Sequence, residues 1–251
     1  MNTMTPTDTQ RPALRRLWKA AFGDTDGFLD DFYATAYAPE RCRCVEEDGK
    51  IVSVLYWFDC ELEGAKLAYV YAVATDPVCR GRGLCRMLMG DTARHLKALG
   101  CRGIVLVPQE PGLIRMYAGM GYTPFGCVDE FHVTAGEAVP LRRIGAAEYA
   151  QRRRRLLPAG GVIQEGENLR FLATQASFSA GENWLAATAE VDGMLWCPEL
   201  LGDAGAAAGL VKALGYREGS FRMPGNGRPF AMFRPLVVDC PVPRYFGLAF
   251  D

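Results

Sequence analysis

TDPVCRGRGLCRMLM, residues 75–89, is the stretch on which the reading of this chain turns. A β-rich run, KLAYVYAVAT, leads into it, and a helix-forming run follows directly. Gly81 and Gly83 punctuate the turn between them, letting the backbone bend and exposing successive N–H groups with no Cβ in the way. Those groups and the positive end of the helix form an anion site of the kind that suits a pyrophosphate. Arg80 and Arg82 add charge at its rim. The spacing is not a dinucleotide fingerprint, because Arg86 occupies the third glycine position of GxGxxG, and no Gly-Lys-Ser/Thr follows to make a P-loop.

Working outward, Pro12 to Phe22 has helical spacing of Leu14, Leu17, Trp18 and Phe22, with Gly23 just past its end. A second helix is expected from Asp26 to Tyr37. CRCVEEDGKIVSVLYWFDCEL then reads as a hairpin turning at Asp48-Gly49, and Glu63-Gly64 leads to the third run. These strands follow one another without helices, so this part of the sheet should be antiparallel. After Thr75 the order becomes strand, turn, helix, strand, helix: the first helix stops at Gly100, GIVLV is apolar throughout, and Pro111 to Gly121 is helical. VTAGEAVP, 133–140, reads as a linker. Beyond it a helix is expected from Gly145 to Leu157, two strands hinged at Asp192-Gly193, a helix from Ala204 to Leu214, and late strands PFAMFRPLVV and YFGLAF. The second half thus loosely echoes the first.

With 251 residues, 49% hydrophobic and 23% charged, the chain can bury a full core, which excludes disordered, collagenous and coiled-coil classes. A net charge of -1 gives no reason to expect nucleic acid or an anionic membrane as partner. The nine cysteines are scattered, and with only His95 and His132 no zinc spacing exists, so no metal is expected. The polar start MNTMTPTDTQRP is not a signal peptide and no run is long enough to span a bilayer. A cytoplasmic protein with reduced thiols is the expectation.

RGRGL after a strand ending in TDP, then a helix, then VLVPQEPGLIRMYAGMGY, resembles the GNAT superfamily of N-acetyltransferases. Within it, VATDP followed by RGRGL is similar to the tandem-domain branch that includes the enhanced intracellular survival aminoglycoside acetyltransferases. The resemblance implies a mixed α/β GNAT acyl-CoA-binding fold over residues 1–134. A smaller, degenerate GNAT-like α/β domain over 141–251, lacking the phosphate turn, should follow. It implies acetyl-CoA as cosubstrate, held by backbone groups of Val73, Ala74 and Thr75. The pyrophosphate would lie against Arg80, Gly81, Arg82, Gly83, Leu84 and Cys85. Tyr117 falls where the family places a tyrosine beside the acetyl-CoA sulfur, to protonate the leaving thiolate. A strand N–H would hold the oxyanion of the tetrahedral intermediate.

The chain departs from the family at three places. Cys85 replaces a third glycine, Glu110 stands where many members carry an asparagine, and the positions that hold a catalytic glutamate in some members are Leu67 or Val105. The base is therefore sought among Asp59, Glu61 and Glu63 on the preceding strand, Glu61 foremost, or, as the resemblance implies, in the chain's own α-carboxylate at Asp251. The expected function is transfer of an acetyl group to a primary amine of a small molecule or peptide, by direct attack in a ternary complex. The alternative is a non-catalytic acyl-CoA-binding or sensor module. The sequence leaves a homo-oligomer open. The run Arg152–Arg155 reads as a solvated helix face, and the C-terminal PRYFGLAFD, being apolar, should dock by completing a sheet or by entering the cleft between domains.

Overall fold

The computed structural model describes residues 2–250. Contacts divide the chain into two units. The first comprises the residues up to Leu106 with Glu110–Thr123 and Phe233–Pro241. The second comprises Val107–Gln109, Pro124–Met232 and the residues from Val242 on. No described helix is long and apolar enough to cross a membrane.

The first unit opens with β1 (Asn2–Met4), α1 (Arg11–Phe22) and α2 (Asp26–Thr35). It continues through β2 (Cys42–Glu47), β3 (Lys50–Leu62), β4 (Ala65–Thr75), α3 (Leu84–Ala98), β5 (Gly103–Leu106) and α4 (Pro111–Ala118). The expected hairpins form: Asp48 and Gly49, and Glu63 and Gly64, all have positive φ, as tight two-residue connections between twisted strands require. The sheet order is β1-β2-β3-β4-β5, antiparallel except for the β4–β5 pair that α3 connects.

Alternation along the strands sorts side chains between two faces. Tyr56, Phe58 and Tyr71 meet Trp18 of α1 or Phe32 of α2 in edge-on and tilted contacts, and Tyr69 stacks on Phe58. Trp57, on the opposite face, meets His95 of α3. Phe233 and Leu236 return to this unit late in the chain. The Phe233 ring lies where a Cβ on Gly103 would stand, and the Leu236 N–H donates to the Arg102 carbonyl at 2.8 Å.

The second unit takes up most of β6 (Thr123–Thr134), then β7 (Arg142–Ile144), α5 (Ala146–Leu156), the two-residue β8 (Ile163–Gln164) and α6 (Glu167–Gln175). β9 (Ser177–Ala180), β10 (Trp184–Val191), β11 (Met194–Gly202), α7 (Ala206–Ala213), β12 (Glu218–Pro224) and β13 (Arg228–Pro235) follow. The order β6-β12-β11-β10-β9-β7 contains a hairpin, β10–β11, whose second strand runs parallel to β12 through α7. That is the arrangement of β3, β4, α3 and β5 again. Phe221, Leu195, Cys197, Leu210 and Val211 form a core between this sheet and α7.

Three expectations change. The stretch 133–140 does not hang free: Val133 and Thr134 belong to β6, and the N–H groups of Gly136 and Val139 donate to α7 carbonyls of Ala208 and Gly209. YFGLAF forms no strand; only Tyr245 makes a bridge, to Gly161, and the segment is held by side chains within the second unit. Arg153 is not on a solvated face: it is 2% exposed and carries an ion pair to Glu199, itself fully buried.

That pair centres a network. Arg153 donates Nε to Glu199 Oε2 at 2.7 Å and Nη2 to Oε1 at 2.9 Å, while the hydroxyls of Tyr149 and Tyr245 donate to the same carboxylate at 2.7 and 3.0 Å. Gln164 accepts from the Leu248 N–H at 3.2 Å and donates to the Leu248 carbonyl, and Phe250 stacks on Phe171. Removing one member of such a pair leaves the other charge buried and uncompensated. Arg153→Met should therefore lower stability by about 3–5 kcal/mol in urea denaturation, and Arg153→Met with Glu199→Leu should recover much of it. A loss below about 1 kcal/mol in the single variant would contradict this account.

Candidate functional site

The site begins where two strands of the first unit part. β4 and β5 pair only over Leu67–Tyr69 with Gly103–Val105, yet β4 continues to Thr75. From Val70 onward β5 leaves that edge of β4 unpaired. β5 itself ends at Leu106, and on the other edge of β4 the β3–β4 register jumps between Val54 and Tyr56, giving β4 an extra residue, and Ala72 takes φ 48°. A bulge of this kind bends its strand and sharpens the twist, at roughly 1–2 kcal/mol for a non-glycine residue in the left-handed region. No glycine, proline or asparagine marks Ala72, so nothing in the sequence signalled it.

Val73 and Thr75 are half-buried and Ala74 is buried, just past the bulge. Ser53 on β3 secures them: its hydroxyl donates to the Ala74 carbonyl at 2.9 Å and lies 2.9 Å from the Thr75 hydroxyl. Asp76 then accepts from the Val78 N–H at 3.0 Å and closes the turn at Pro77–Cys79. Gly81 and Gly83 both adopt φ 76°, with open space where a Cβ would stand. Gly83 is the N-cap of α3 and brings no side chain to it, so the first-turn N–H groups of Leu84, Cys85 and Arg86 have no capping partner from that residue.

The two arginines of the turn differ. Arg80 turns its Nε back to the Thr75 carbonyl at 3.4 Å. Arg82 makes a bidentate pair with Glu47 at 2.8 and 2.6 Å, and that hydrogen bonding holds the Glu47 carboxyl below its ordinary range. Arg86 ties α3 to the end of α4 through the Gly119 carbonyl at 2.8 Å.

Tyr117 is the buried residue of α4, 6% exposed, with its ring centroid 5.8 Å from that of Tyr122 and the planes at 66°. Burial pushes its hydroxyl pKa well up, and Cys85 and Tyr122 push it further, so the phenol stays protonated at neutral pH. Cys85 is half-buried, and burial pushes its thiol up to about 11. It is therefore a neutral thiol rather than the activated one a helix start can produce. The structure thus brings Cys85, Tyr117 and Tyr122 into electrostatic reach of one another. The last of these closes the pattern that carries the family resemblance but was given no chemical role from the sequence.

The candidate bases are not gathered here. Leu67 and Val105 are fully buried apolar residues inside the paired part of β4 and β5. Glu61 pairs in register with Lys66, six residues before Ala72, which is roughly 20 Å along the strand. Asp59 lies 3.7 Å from the Lys66 ammonium. Glu110 is the exposed N-cap of α4 and makes no side-chain cap. Asp251 lies outside the described residues.

The first unit thus assembles an open glycine turn at the start of α3, a strand that parts from its neighbour before it, and a buried neutral phenol on α4. In keeping with this, residues 3–125 match the family model of the acetyltransferase (GNAT) domain. That part of the chain is a GNAT acetyltransferase domain. The fold extends further. A GCN5-related N-acetyltransferase from Kribbella flavida superposes with TM-score 0.74 at 18% identity, covering 93% of this chain and 70% of its own. One from Anabaena variabilis gives TM-score 0.74 at 12%, covering 94% and 73%. Eis1 from Mycobacterium abscessus gives 0.66 at 12%, covering 94% and 74%. At these identities the likeness is one of fold. Comparison with curated proteins gives no match.

Proposed function

We propose that the first unit binds acetyl-CoA and transfers its acetyl group to a primary amine of a small molecule or peptide. The observation that carries this reading is the conjunction in one GNAT domain of an unpaired β4 edge, an open glycine turn at the start of α3, and a buried neutral phenol at Tyr117. All nine cysteines are free, which supports a cytoplasmic setting.

Acetyl-CoA supplies an acyl group activated as a thioester. Backbone groups of Val73, Ala74 and Thr75 pair with its pantetheine amides, as a further strand would. The N–H groups of the turn from Arg80 to Cys85 take the pyrophosphate, with Arg80 and Arg82 at the rim and Leu84 seating the helix start in the core. A strand N–H near the bulge holds the oxyanion as the amine nitrogen adds to the carbonyl carbon. The C–S bond then breaks, its electron pair stays on sulfur, and Tyr117 gives that sulfur its proton. Of the carboxylates considered as base, Glu61 is separated from the bulge by the length of β4, so we assign the role to Asp251. A second phosphate site is not proposed: at the corresponding turn before α7, the Asp203 carboxylate already accepts the Gly205 N–H at 2.8 Å.

Calorimetric titration with acetyl-CoA should give one site per chain. Gly83→Asp should weaken it about tenfold or more, by straining φ and adding negative charge to the turn. Unchanged affinity in that variant would remove the assignment of the turn. Release of free thiol with a panel of amines tests catalysis; binding without release would leave a non-catalytic acyl-CoA module.

Tyr117→Phe should reduce turnover by about 10²-fold with acetyl-CoA affinity nearly unchanged. Because burial raises the Tyr117 pKa above its ordinary 10, no loss of rate from its ionisation is expected below pH 10. Deleting Asp251, or extending the chain by a few residues beyond it, should depress turnover much more than stability, whereas Glu61→Gln should leave turnover as it is. The reverse result would move the base to Glu61.

A further inference from the structure

We propose that Tyr122 is a second hydrogen-bond donor to the acyl-CoA sulfur, beside Tyr117, with Arg234 as its positioning residue. The inference rests on the acetyl-CoA reading above and adds to it a residue that reading does not use.

Tyr122 is 2% exposed, and its buried hydroxyl makes no well-formed hydrogen bond among the described residues. Arg234 acts on its oxygen, but a guanidinium can only donate, so folding has taken the hydroxyl proton out of water and supplied no acceptor for it. Phenylalanine would fill the same space, keep the edge contact with Tyr117 and carry no orphaned hydroxyl. A buried polar atom left idle by the fold calls for a group that arrives later.

The surroundings say what that group is. Tyr117 and Tyr122 meet ring to ring at 5.8 Å, and Arg86, in the first turn of α3, donates to the carbonyl of Gly119, which lies between them in the chain, at 2.8 Å. Two phenols therefore lie together next to the start of α3. They are not equivalent. The Arg234 guanidinium carbon lies 5.9 Å from the Tyr122 ring centroid, and its Nε would stand 3.7 Å from a Cβ on Gly121, the residue preceding Tyr122. Burial raises the Tyr122 pKa and Arg234 opposes that rise, whereas no cation acts on Tyr117. An O–H whose oxygen faces a fixed positive charge is the stronger donor.

A departing thiolate needs such a donor. When the C–S bond breaks, the pair of electrons stays on sulfur, one lone pair takes the proton from Tyr117, and another accepts the Tyr122 hydrogen bond. Tyr122 keeps its proton throughout, so the hydroxyl acts on charge and orientation and not as a second acid.

The test compares coenzyme A with desulfo-coenzyme A, which lacks the sulfur. Wild-type protein should bind coenzyme A more tightly. Tyr122→Phe should erase most of that difference, weakening coenzyme A about fivefold, the worth of one hydrogen bond to a neutral thiol, while leaving desulfo-coenzyme A unchanged. Its Tm should equal or exceed that of the wild type, because the orphaned hydroxyl is gone. Arg234→Met should give a partial loss of the same discrimination, and Arg234→Lys should restore it.

A Tyr122→Phe variant that binds both ligands as wild type does would overturn the inference and leave the acetyl-CoA reading intact. Failure of that variant to fold, or a fall in its Tm, would mean the hydroxyl is used by the fold, and would also overturn it. If wild-type protein binds neither ligand, the acetyl-CoA reading fails and this inference fails with it.

Discussion

Beyond Tyr69 and Val105, β4 and β5 stop sharing hydrogen bonds, and everything proposed for the first unit depends on that parting. β5 ends at Leu106, one residue past its last pair, while β4 runs on to Thr75. Here β4 carries one residue more than β3 can match, and Ala72 absorbs it in a left-handed conformation. The local cost is small beside the packing that holds β4, where Leu67, Ala68, Tyr69 and Val70 are all buried. In return, an edge of backbone donors and acceptors is left without a strand partner in the interior of a sheet. Edges are normally found at the margins, and an interior edge is a template for an extended ligand.

The electrostatics of the first unit follow the same division between what the fold satisfies and what it leaves open. Arg43 pairs with Asp91, Arg82 with Glu47, and Arg86 with a carbonyl, so these cations hold elements together. The N-terminal N–H groups of α3 have no such side chain from their cap. An arriving anion thus meets partial positive charge fixed in direction by the helix, with Arg82 already paired to Glu47 and Arg80 turned to the Thr75 carbonyl. Arg82 can serve it only by loosening its exposed pair with Glu47. That exchange costs little, because exposed pairs contribute less than about 1 kcal/mol.

Elements governed by local rules were legible in the sequence. Gly23, Gly100 and Gly121 all take positive φ where they were expected to end helices, and the Asp48-Gly49 and Asp192-Gly193 hairpins turn where their residues said they would. The glycine turn before α3 was legible for the same reason, since φ 76° at Gly81 and Gly83 is a property glycine advertises. Interactions set by tertiary placement were not. The bulge at Ala72 has no residue signal, and helix α6 carries its buried residues in one short run that gave no clear period. Arg153 was indistinguishable from its neighbours in a run of four arginines. Only the approach of Glu199, from 46 residues away, turns that one inward. The apolar YFGLAF was rightly expected to be docked, but its backbone is satisfied by Gln164 rather than by a sheet.

The two units make the same supersecondary arrangement with opposite outcomes at one turn. In each, the second strand of a hairpin passes through a turn into a helix and returns parallel to itself. Before α3 the turn is Arg80-Gly81-Arg82-Gly83, with no acid and with open space over both glycines. Before α7 it is Gly202-Asp203-Ala204-Gly205, and Asp203 places its own carboxylate on the Gly205 N–H. A helix start attracts one negative group strongly and a second poorly, because the first cancels the partial charge that drew it. The chain's own aspartate is always present at effectively high concentration, so it excludes a free anion of modest affinity. The same architecture is thus an open anion turn in the first unit and a closed structural cap in the second, and a single acidic side chain makes the difference.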